Sequence, residues 1–253
     1  MKDELPIKYY QELLTAKGRK ENSAFIIEGI RQVEQFSKSK NVKLLEILAA
    51  EAAEPLPFET KTPVRYITRN QLSKITDSKT PNGVIAVAEI PCRGDRPRSP
   101  AIPPATKNNI LLLEDIQDPG NVGTLIRSAA AFGFSAVILS PACADVYSPK
   151  VVRSSGGAIC NLEIINKTDI FDCISTLKKQ NYRLIVADLD GKNEIAPATH
   201  QKTIFALGNE GNGVSEKLRS LADEIFTIPF DNSAVESLNV ATAGAIGMFL
   251  LKK

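Results

Sequence analysis

Three short apolar runs most constrain how this chain can fold: ILLL at 110–113, AVIL at 136–139 and TIFAL at 203–207. None alternates polar with apolar residues, and each is bounded by turn-forming residues. Runs of this kind suit strands covered on both faces, the habit of a parallel sheet. Residues 183–188 and 225–228 extend the set. Helix-like stretches lie at 122–132, 149–158, 170–180, 215–221 and 235–251. The alternation predicts an α/β fold, a parallel sheet with helices on both faces. Ligands of such sheets sit beyond the carboxyl ends of the strands, so the segments that follow strands are the ones to read for function.

Ahead of this region, residues 90–109 hold five prolines and little periodicity, which reads as a linker between two domains. The expected division is 1–90, a Pro-rich linker at 91–107, and 108–253. The first part also mixes strands and helices. An amphipathic stretch at 7–14 precedes AFIIEG, a short strand ending at a glycine. IRQVEQFSK spaces Ile30, Val33 and Phe36 as a helix does, and KLLEILAA suits either a buried strand or a short helix. Thr68 is placed to cap a helix in TRNQLSKIT, and TPNGVIAVAEI gives a turn and then a strand. Lys and Arg exceed Asp and Glu by four up to Ala105 and fall two short beyond it, a balance compatible with an anionic partner such as nucleic acid.

Three segments after strands carry the chemistry. DPGNVGTLIR has neither the G-x-G-x-x-G of a dinucleotide loop nor the Gly-Lys-Ser/Thr of a P-loop. A plain Pro-Gly turn with Asn121 as helix cap is the alternative, and Arg127 follows within the helix. LGNEGNG sets Glu210 among Gly208, Gly211 and Gly213, glycines that permit positive φ and close approach to a ligand, or a flexible turn. IPFDNSAVESLNVATAGAIG carries Ser237 and Asn239 at the start of a helix rich in Ala and Gly. Small residues there suit tight packing or a subunit interface.

In this order, NVGTLIR, LGNEGNG and IPF…SLNVATA resemble the SpoU (TrmH-type) RNA ribose methyltransferases of the SPOUT superfamily, over most of 109–253. FIIEGIRQVEQ and TPNGVIAV resemble the substrate-binding domain often fused in front, a small ribosomal-protein-like α/β unit. The resemblance implies a SPOUT domain with a C-terminal deep trefoil knot, an exception to the rule that chains are unknotted. It implies S-adenosylmethionine as donor, held by the backbone at Leu207, Gly208, Ile228 and Leu238. It implies catalytic roles for Asn121, Arg127, Glu210, Ser237 and Asn239, and a homodimer through the knot and last helix. A guanidinium does not deprotonate in proteins, so Arg127 is expected to orient the ribose or an adjacent phosphate and to lower the hydroxyl's pKa. Glu210 and Asn121 are expected to position Arg127 and the loops, with Ser237 and Asn239 lining the reacting centre. VVRSSGGAICNLEI also fits the family, although Gly156 stands where Met is more usual; Arg153 suits either an RNA contact or a surface role.

The expected activity is therefore ribose 2′-O-methylation of structured RNA, rRNA ahead of tRNA. An RNA-binding or assembly factor with little turnover is the alternative, and a nucleotide-dependent dehydrogenase lacks its fingerprint. One His and four Cys without a CxxC pair give no zinc pattern, and no metal is expected. DLDGKNE at 188–194 departs from a calcium loop and reads as a turn after a strand. His200 carries no assigned role, and the cysteines read as small core residues. The N-terminus has no apolar signal-peptide core and no run is long enough to span a bilayer, so a cytoplasmic protein without membrane contact is expected.

Overall fold

All three apolar runs form strands whose apolar side chains are buried. The computed structural model describes residues 5–51, 55–76, 83–91, 109–192 and 202–252. The expected linker beyond Pro91, Cys92 and His200 lie outside these residues. In chain order come α1 (Ile7–Glu12), α2 (Ala16–Asn22), β1 (Ala24–Glu28), α3 (Ile30–Ser37), β2 (Leu44–Ala50), β3 (Val64–Ile67), α4 (Arg69–Ser73) and β4 (Val84–Glu89). Then follow β5 (Ile110–Leu113), α5 (Pro119–Ala131), β6 (Ala136–Leu139), α6 (Pro149–Ser154), a 3-10 turn (Ala158–Asn161), β7 (Glu163–Ile165) and α7 (Ile170–Lys178). The chain continues through β8 (Tyr182–Lys192), β9 (Lys202–Leu207), α8 (Glu216–Ser220), β10 (Glu224–Phe226) and α9 (Val240–Leu251).

Two compact units result: Met1–Asp95 with Tyr147–Asn161, and Arg96–Val146 with Leu162–Lys253. The first unit has a sheet of order β1-β4-β2-β3, antiparallel except between β2 and β3. KLLEILAA thus resolves as strand β2, because it lies between two partners. Thr68 does cap α4: its hydroxyl accepts from Gln71 N, and the Gln71 side chain accepts from Thr68 N at 2.9 Å. The segment around α6 packs within this unit. Arg153 lies 3.8 Å from the Glu28 carboxylate, Ser39 donates to the Cys160 carbonyl at 2.9 Å, and the rings of Phe25 and Tyr147 meet.

The second unit has a wholly parallel sheet of order β10-β8-β9-β5-β6-β7. One core gathers Ile110, Leu112, Ile138, Leu184 and Ile204 with Ile174 and Leu177 of α7. Each such side chain contributes about 2 kcal/mol on burial. α5 and α9 meet the sheet elsewhere. A Cβ on Gly244 would lie 2.3 Å from a Leu125 methyl, and one on Gly247 would lie 2.3 Å from the Phe205 ring. Of the two roles the sequence left open for these small residues, Gly244 and Gly247 serve tight packing inside the subunit.

Several elements differ from expectation. α9 begins at Val240, because Asp231 folds the preceding chain into a turn, accepting from Ser233 N at 2.9 Å, and Asn239 caps the helix. α6 stops at Ser154, because Gly156 and Gly157 follow at φ 59° and 88°, where a helix cannot continue. β8 runs on to Lys192, so the turn expected from Asp188 is strand instead; Asp188 and Asp190 bind Arg219 at 3.5 and 3.0 Å. β7 was not anticipated, being only three residues long.

Candidate active site

Strand order decides where the three segments meet. β5 and β9 are neighbours, with Leu113 opposite Leu207, although they are far apart in the chain. From β5 the sheet continues outward through β6 and β7, and on the other side from β9 through β8 and β10. That reversal is the point at which a parallel sheet opens a crevice beyond its carboxyl ends.

A chain of side-chain hydrogen bonds crosses this point. Asn239 Nδ2 donates to Asn121 Oδ1 at 3.1 Å, and Asn121 Nδ2 donates to Glu210 Oε1 at 3.1 Å. The Glu210 carboxylate also accepts from the backbone N–H groups of Gln117 and Asp118, both at 3.2 Å. Burial alone would raise the Glu210 carboxyl. The bonds donated by Asn121 and by the backbone outweigh it and hold the group below the ordinary carboxylate value. The chain thus supplies its own anion where the segment enters α5, where a phosphate loop would hold a phosphate.

Comparison with known proteins agrees with this geometry. Residues 108–249 match the model of the SpoU rRNA Methylase family, and residues 5–86 match that of the MRM3-like substrate binding domain. The chain belongs to the SpoU rRNA methylase family. It is 31% identical over 250 residues to the 23S rRNA (guanosine(2553)-2'-O)-methyltransferase RlmP of Bacillus subtilis, covering 97% of this chain and 95% of that protein. Among solved structures, the SpoU methyltransferase AviRb of Streptomyces viridochromogenes in complex with AdoMet superposes with a TM-score of 0.84 at 25% identity, over 97% of this chain and 96% of that one. A putative RNA methyltransferase of the TrmH family from Porphyromonas gingivalis gives a TM-score of 0.82 at 29% identity, over 97% and 96% of the two chains.

For this SpoU family member the structure brings Asn121, Glu210 and Asn239 into one hydrogen-bonded set. Asn121 is not a helix cap. Asp118 holds that place, its carboxylate accepting from Asn121 N at 2.8 Å, because Pro119 favours the first helical position. Pro119, Gly120 and Gly123 therefore lie inside α5 and do not shape a turn. Arg127 projects from α5, exposed and with no side-chain hydrogen bond or ion pair among the described residues. Glu210 and Asn121 do not touch it; they fix the start of the helix that carries it. Ser237 is exposed and makes no hydrogen bond among the described residues. Leu207 ends β9 and Gly208 follows it, both buried. A Cβ on Gly208 would lie 2.4 Å from the backbone of Gly213 and Val214. The backbone here therefore packs closely against its own loop. Ile228 lies two residues beyond β10, past the strand end expected there, and Leu238 lies just before the cap of α9, outside the helix expected over 235–251; both are half-buried.

Sequence reading overlooked the residues that fasten these loops. Asn209 donates to the Asp115 carbonyl at 2.8 Å and accepts from Gly211 N and Asn212 N. Glu114, only 7% exposed, accepts from Ser215 N and from its hydroxyl. An acidic pair directly after a fully apolar strand was the available signal, since a carboxylate there must find buried donors.

Proposed function

We propose that this protein transfers the methyl group of S-adenosylmethionine to the 2′-hydroxyl of a ribose in ribosomal RNA. The observation that carries the reading is the Glu210–Asn121–Asn239 chain, which joins all three family motifs at one strand crevice. Relatives named as 23S rRNA 2'-O-methyltransferases and an AdoMet-bound relative support the substrate and the donor.

The residues present suit the donor. Ile228 and Leu238 offer apolar side chains, and their backbone polar groups make no hydrogen bond among the described residues. Leu207 and Gly208, buried at the end of β9, supply backbone on the other side in this reading. Held there, the donor supplies a sulfonium-activated methyl group. The protein's part is to align the ribose oxygen and to meet its charge as its proton departs. Arg127 is the cation for that task. Glu210 and Asn121 aim Arg127 by fixing α5, and Ser237 and Asn239 line the acceptor side.

Finer features of the reading follow from the family. Residues 1–90 bind the RNA, 91–107 link, and 108–253 form the methyltransferase domain. A C-terminal knot is supported by the course of the chain, which leaves β10 at the sheet edge and returns to Asn121 through Asn239. A homodimer through α9 is supported by the exposure of Ile246, Phe249 and Leu250. Ribose methylation mapped in rRNA and tRNA from cells with and without the protein tests the function: loss of methylation at an rRNA ribose is expected, and intact rRNA with a changed tRNA overturns the substrate.

A further inference from the structure

Asp115 is used by nothing in the mechanism above, yet it is the residue at which three strand ends are joined. Its φ is 57°, a left-handed backbone that non-glycine residues seldom take and that Asp and Asn tolerate best. Its N–H donates to Ser140 Oγ at 2.8 Å, and the same hydroxyl donates back to Asp115 Oδ1. Ser140 directly follows β6 and is buried. On the other side the Asp115 carbonyl accepts from Asn209, in the loop after β9. Two and three residues on, Gln117 and Asp118 present the amides that hold Glu210. The preceding residue, Glu114, fastens the far end of the same loop through Ser215, which caps α8. The 209–215 loop is thus tied at both ends to consecutive residues after β5.

We infer that Asp115, latched by Ser140, is a positioning residue for methyl transfer: it sets the Gln117 and Asp118 amides against Glu210 and so fixes the α5 entrance that aims Arg127. What is positioned rests on the function proposed above; the latch rests on the hydrogen bonds themselves. Loss of the Ser140 hydroxyl frees Asp115 to leave its left-handed backbone, and the two amides drift from Glu210.

The test uses the full chain with Ser140→Ala, Asp115→Asn, Asp115→Ala, Glu210→Gln and the Ser140→Ala/Glu210→Gln pair. It reads kcat and both KM values well below the unfolding midpoint, together with amide hydrogen exchange at Gln117 and Asp118. Ser140→Ala lowers kcat roughly tenfold or more and speeds exchange at both amides. Asp115→Asn keeps the acceptor and the backbone hand and stays within about twofold of the unmodified protein; Asp115→Ala loses at least as much as Ser140→Ala. In the Glu210→Gln background the Ser140→Ala change costs no more than about twofold, since both act along one line. Additive losses overturn the inference, as does a Ser140→Ala protein whose melting point alone has changed. If the unmodified protein methylates no RNA, the proposed function has failed. Amide exchange then decides the latch by itself: unchanged protection at Gln117 and Asp118 in Ser140→Ala overturns it.

Discussion

Arg127 and Glu210 illustrate two ways in which a charged residue can be placed. Glu210 is spent on the protein: every contact it makes fixes a loop or a helix start. Arg127 is unspent, an exposed cation with no partner among the described residues. Arg127→Ala is expected to lower kcat by about a hundredfold or more while leaving donor binding, read by calorimetry, nearly unchanged. Lys at this position keeps the charge but loses the planar fork, so Arg127→Lys should also be impaired; near-normal turnover with an unaltered pH profile would remove Arg127 from its role. Glu210 predicts a pH effect on stability. Its carboxyl is held below the ordinary 4.5, so its contribution is complete at neutral pH and is lost as the pH falls below 4.5 through the folded value. Between about pH 6 and about pH 3 the melting point of the unmodified protein should therefore drop more steeply than that of Glu210→Gln.

At the scale of elements, α5 and α9 do the organising. Both start within the site, capped by Asp118 and Asn239 respectively. Asn239 has a double task, since its Oδ1 accepts from Ala241 N and Thr242 N while its Nδ2 reaches Asn121. Asn239→Ala should cost about 1 kcal/mol as a lost cap and should lower turnover as well; Asn239→Asp should restore the cap without the link to Asn121. Chemical denaturation beside steady-state kinetics separates the two effects. Elements with strong local signals were legible: the apolar strands, α7, and the Thr68 cap. β7 and β3 were not, for three or four residues carry too little pattern. The start of α9 was misplaced because Ala, Val, Glu and Ser at 234–237 suit a helix, while the Asp231 turn decides otherwise.

For the whole molecule, the exposed face of α9 makes the sharpest prediction. Ile246, Phe249 and Leu250 are between 37% and 51% exposed, and the Phe249 ring packs edge-on against Phe132. Light scattering should report a dimer for the unmodified protein, and Phe249→Glu should shift it toward monomer at micromolar concentration. A Gly247→Ala change acts on the buried side of the helix, against Phe205, and should destabilise the fold by about 1–3 kcal/mol without that shift.

The sequence by itself determined that these apolar runs are strands of a parallel sheet, and it supplied the three motifs that mark the family, because burial pattern and residue type are local properties. Only the tertiary structure decided that Asn121, Glu210 and Asn239 touch and that Asp115 joins three strand ends. It also turned the glycines of the last helix inward. Those facts depend on strand order: β5 lies beside β9 because the sheet buries its apolar strands in that arrangement, and no spacing along the chain records which loops become neighbours.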